Sequence, residues 1–126
     1  MAVTIAPLGG LTGVFKVIHD ADANDTPEVD VCDGAATIYN VTINNDANAA
    51  VEYVKFFNVA LAEGIVLGTT VPDMILFANA SETTTYEFKD GNSFFTTGVS
   101  YAVVTAGGTA GVTGPTSDVI ITIVAE

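Results

Sequence analysis

The chain has 126 residues, 49% of them hydrophobic and 14% charged, which is the length of one compact domain with a sizeable core. Three Lys and no Arg stand against fifteen carboxylates, a formal charge of -12. Holding nucleic acid or an anionic membrane takes the cations that this chain lacks, and nucleotide phosphates lose their usual bidentate Arg partner. Neither nucleic acid nor membrane is therefore an expected partner.

In chain order, residues 1–12 (MAVTIAPLGGLT) are apolar and Gly-rich without a period, as suits an arm lying on a neighbouring subunit or a first edge strand. They carry neither the basic stretch nor the sustained apolar core of a secretory leader. No apolar run nears the ~20 residues of a membrane helix, so the expectation is a protein made and used without export. Gly13–Ile18 reads as a strand with His19 at its end, followed by an acidic, Pro-containing loop over residues 20–30. In Ala36–Asn44 β-branched residues alternate with period two, a strand signature. The polar stretch Asn44–Asn48 is a turn, and Ala50–Asn58 resumes as the expected hairpin partner of the preceding strand.

Val59–Gly64 (VALAEG) is the one segment with helical character, about a turn long. Asp73–Ala78, Thr83–Phe88, Ser100–Thr105 and Asp118–Val124 are further strands, with Phe94–Thr96 a short strand or bend. Gly68 to Pro72, Asp90-Gly91, Gly98 and the run 107–115 punctuate them, the last as a Gly/Thr loop projecting from the body. Short strands at this spacing predict an all-β chain: a single-domain antiparallel β-sandwich, jelly-roll or immunoglobulin-like, over residues 1–126.

Chemistry-bearing residues are sparse. Asp20, Asp22 and Asn24 present three oxygen ligands at the spacing of a calcium loop. Asp25 stands where that loop needs Gly, and Val31 where it needs a bidentate Glu, so the expectation is no metal, with these three as the weak candidates. Cys32 lacks a thiolate-stabilising neighbour, and His19 is the only His, too few for a zinc set. Glu52, Glu63, Glu82 and Glu87 mostly sit beside turns or alternate with apolar residues, as a solvated face would, and no Trp is present to stack a sugar. The Gly-rich run 107–114 lacks the Lys of a phosphate loop and precedes a strand. No catalytic residue and no cofactor are expected; the chain is read as no enzyme.

One ordered series carries a resemblance. Tyr53-Val54-Lys55-Phe56-Phe57-Asn58 is followed by Gly68-Thr69-Thr70-Val71-Pro72 and the apolar strand with Met74, Ile75 and Leu76. Then come Gly91, Phe95, Thr96-Thr97-Gly98 and the strand from Val99. Over about Asn45 to Val124 this resembles small β-sandwich virion structural proteins of tailed bacteriophages, whose pattern runs Y-L-K-L-Y, G-T-x-x-P, an apolar strand, G-x-x-F-x-T-G, an acidic or Gly-rich loop and a last strand. Here Phe56-Phe57 replaces Leu-Tyr, and one residue more than usual separates Gly91 from Phe95.

The resemblance implies a capsid decoration or cement subunit on the virion surface, made in the host cytoplasm. Its partners would be the major capsid protein or other virion proteins, with a homo-oligomer, a trimer among the options, as its form. A tail, neck or head-fibre component is the alternative, and a cell-surface adhesin-like module comes after it. The contact surface is expected around Val3, Ile5, Leu8 and Leu11 near the start, and around Gly107, Gly108, Gly111 and Val112 in the Gly/Thr loop.

Overall fold

A computed structural model describes residues 3–7 and 15–126. Its strands are β1 (Val3–Pro7), β2 (Lys16–Ala23), β3 (Ala36–Asn44), β4 (Glu52–Phe57), β5 (Met74–Ala78), β6 (Thr83–Phe95), β7 (Ser100–Val104) and β8 (Val119–Ala125), with one 3-10 turn at Ala62–Gly64. They form a five-stranded sheet ordered β1-β2-β8-β3-β6 and a three-stranded sheet ordered β5-β4-β7, with every neighbouring pair antiparallel. The expected single-domain β-sandwich is what the chain builds.

Pairing aligns side chains into rows across the large sheet. Ile5, Ile18, Ile123, Val41 and Tyr86 stand opposite one another in turn, and the three central residues of that row are fully buried. The adjacent row points outward and is polar: Thr4, His19, Thr122, Thr42 and Thr85. His19 Nδ1 and Thr122 Oγ1 lie 3.1 Å apart, as do the Thr42 and Thr85 hydroxyls. Strand alternation thus sorts apolar side chains inward and hydroxyls outward. Opposite this inner face, Val54, Phe56, Tyr101 and Val103 of the small sheet complete the core, with Phe95 edge-on to Phe56.

The strands depart from the sequence reading in three places. β3 and β4 are not a hairpin, because the turn between them crosses from the large sheet to the small one. The side chain of Asn45, fully buried, makes the crossing possible. Its amide reaches the carbonyls of Ala50, Ala78 and Asn79 at 2.9, 3.3 and 3.0 Å, and its Oδ1 accepts from Asn48 Nδ2 at 2.9 Å. Asn48 in turn binds the backbone of Ser117 through both amide atoms. One polar plug therefore satisfies three chain crossings at one end of the sandwich.

Secondly, β2 runs on through Ala23, so His19 lies within a strand; Gly13 and Val14, where the strand was expected to begin, lie outside the described residues. A bulge between Asp20 and Ala23 accommodates the acidic residues. Thirdly, Asp90-Gly91 is no turn between separate strands: β6 runs continuously from Thr83 to Phe95. Five residue steps on β6, from Glu87 to Asn92, stand opposite two on β3, from Asn40 to Ile38. Asp90 and Gly91 have φ of 66° and 82°, the left-handed conformation such a bulge needs.

Candidate functional site

The small sheet differs from the large one on its outer side. Lys55, Phe57, Ala102 and Val104 point away from the core and yet are buried, because loops fold over them. Residues 105–114 do not project, contrary to the sequence reading. Thr105 N donates to Thr113 O at 2.9 Å, and Lys55 Nζ donates to the carbonyls of Thr109 and Gly111 at 3.2 and 2.7 Å. Glycine is required where the loop touches down: a Cβ on Gly107 would stand 2.7 Å from the Tyr53 ring. Burial lowers the Lys55 pKa from its ordinary value. The Gly/Thr composition that looked like a free loop is the composition of a tightly laid cover.

That cover is incomplete towards β5. Ile75 and Phe77 are 39% and 45% exposed on the outer side, with Val112 at 50% and Val71 at 71%. Ile75 pairs with Lys55 and Phe77 with Tyr53, which places both beside the 105–114 cover. Val112 in turn packs against Gly68, whose absent Cβ leaves the room. An apolar surface therefore runs along the β5 side of the small sheet. Strand-to-strand extension at this edge is blocked at Phe77, whose N–H and C=O are both bonded to the Tyr86 hydroxyl at 3.2 and 2.7 Å; side-chain contact is left as the way to dock here.

Of the expected contact residues, Val112 belongs to this surface. Gly108 is exposed beside it, while Gly107 and Gly111 are half-buried. Val3 and Ile5 lie on edge strand β1 of the large sheet, Val3 packing on the core and Ile5 53% exposed. Leu8 and Leu11 lie outside the described residues.

A second feature sits at the opposite edge of the small sheet. Residues 24–31 run along β7: Val103 N donates to Asn24 O, Glu28 and Tyr101 exchange backbone bonds of 2.8 and 2.9 Å, and Val31 N donates to Val99 O. This brings Glu28 to Asp20 and Asp22, with carboxylate oxygens all within 4.8 Å of one another. Asp20 is fully buried in an inward row between Val3 and Ile121. It accepts from the Tyr101 hydroxyl at 2.9 Å and from Asp22 N at 3.1 Å. Burial raises the pKa of Asp20 against these two bonds, and burial, followed by the charges of Asp20 and Asp22, raises that of Glu28.

Of the three weak metal candidates, Asp20 and Asp22 lie in this cluster. Asn24 turns away, its amide nitrogen donating to Asp22 O and Asp118 Oδ1 and its oxygen accepting from Thr26 N. Glu28 takes the third place. Sequence spacing missed it because its approach depends on the Glu28–Tyr101 bridge, a contact distant along the chain.

Cys32 is buried, and its thiol is pushed up to about 11 by that burial. Glu52 is no member of a solvated face: it is 1% exposed on the inner side of β4, and its Oε2 has no hydrogen-bond partner among the described residues. Comparison with protein-family models, curated proteins and solved structures finds no match for this chain.

Proposed function

We propose that this protein is a non-enzymatic structural subunit of a tailed-phage virion, a decoration or cement protein that stabilises the head by bridging capsid subunits. The observation that carries the reading is the contrast between the two outer faces. The large sheet turns Thr and His side chains outward, whereas the β5 side of the small sheet exposes Ile75 and Phe77 beside the cover that carries exposed Val112. An apolar strip on a chain of charge -12 suits docking on a preformed protein surface: the apolar residues supply contact area, and the acidic remainder favours basic patches and disfavours DNA. The reading also rests on the resemblance of residues 45–124 to such virion proteins.

The test is co-sedimentation with assembled shells of the source phage, beside unassembled capsid subunits. Saturable binding to shells, absent with free subunits and abolished by Phe77→Ser at unchanged Tm, is the expected result. Absence of binding at every concentration would overturn the decoration role and turn attention to a tail, neck or fibre position, or to an adhesive module.

A further inference from the structure

We propose that Asp20, Asp22 and Glu28 bind a calcium-type divalent cation that staples the two sheets together. Three carboxylates converge within 4.8 Å of one another, and two oxygens bound to one ion at 2.3–2.6 Å lie at most about 5 Å apart. Every pair in the cluster falls inside that span.

The second observation is Glu28 itself. It is 8% exposed, and among the described residues no donor bonds to its carboxylate, which points into the Asp20–Asp22 pair. Crowding a largely buried side chain's carboxylate against two others without a donor is costly. The backbone nevertheless fixes Glu28 there by two bonds to Tyr101, so the chain holds it in place at the cluster. Asp20 is equally committed, buried in a core row with a hydroxyl and an amide directed at its oxygens. Carboxylate oxygens alone select a hard cation, and half-buried Asp22 leaves an approach by which water completes six to eight ligands. Asp20 and Asp22 belong to β2 in the large sheet, while Glu28 is bridged to β7 in the small one. One ion would therefore cross-link the layers without a disulfide.

The test uses the whole chain, with calcium and terbium as probes. The chain contains no Trp, so tyrosine is the sensitiser of terbium emission, and the Tyr101 hydroxyl already lies 2.9 Å from Asp20 Oδ2. The expected result is saturable terbium emission on tyrosine excitation, displaced by calcium. Calcium at about tenfold over its dissociation constant should also raise Tm by roughly 5 °C.

Glu28→Gln should abolish both effects, while Glu87→Gln, which removes an exposed charge on β6, should leave them unchanged. Equal weakening by the two substitutions would mean diffuse attraction to an acidic surface and would overturn the site. Wild-type protein with neither saturable emission nor a calcium-dependent Tm would overturn it too, whether or not the Glu28 variant folds.

Discussion

Glu52 offers the sharpest test of how this sandwich is assembled. Its neighbours in alternation, Val54 and Phe56, are core residues, so β4 geometry drives the carboxyl inward, where Oε2 finds no partner among the described residues. Replacing it by Met keeps the length of the side chain and removes an unsatisfied buried oxygen, a gain of about 1–3 kcal/mol. For a domain of this size that is roughly 4–12 °C in Tm.

The gain should depend on pH, with a sign that follows from burial. Burial raises the Glu52 pKa above 4.5 in the folded chain. The unfolded chain therefore gives up its proton first as pH rises, and wild-type stability is lost between 4.5 and the higher folded value. Below that window Glu52 is protonated in both states, and the advantage of Glu52→Met should shrink. Thermal unfolding followed by circular dichroism at pH 4, 6 and 8 measures this directly. A variant less stable than wild type at neutral pH, or an advantage equal at all three values, would refute the placement of Glu52.

Three further outcomes are expected. Asn45→Ala should cost about 2–4 kcal/mol in urea denaturation, because several buried backbone carbonyls lose their donor at once; a cost below ~1 kcal/mol would mean that water replaces the plug. Gly91→Ala should lower stability by about 2–3 kcal/mol, since φ is 82° and the new Cβ would stand 2.5 Å from Thr37 Cγ2; an unchanged Tm would mean that β6 can dispense with its bulge. Lys55→Met should release the 105–114 cover from its two carbonyl anchors, seen as faster limited proteolysis within those residues while the sandwich itself stays intact.

Fold class was legible in the sequence because strand alternation is local. Period-two runs such as 36–44 and 119–125 identify their own inward residues, and Gly, Pro and Asn mark their ends. Which strands pair was not legible. The stretch Asn44–Asn48 has the same polar turn chemistry whether the chain returns beside its own strand or crosses to the other sheet. Only Ala78, Asn79 and Ser117, brought in from far along the chain, select the crossing.

The same reason governs the candidate sites. The sequence by itself placed Asp20 and Asp22 at ligand spacing, because two residues apart on one strand is a local relation. It paired them with Asn24, the next in line, whereas the tertiary structure turned Asn24 to Asp118 and Thr26 and delivered Glu28 through its bridge to Tyr101. Likewise Gly107 and Gly111 announced an unusual loop from composition, but only the buried amine of Lys55 on the neighbouring strand decided that the loop lies down. Local chemistry determined the elements and their inward faces; contacts between residues distant in sequence decided topology, cover and cluster, because their energies exist only once the sheets have met.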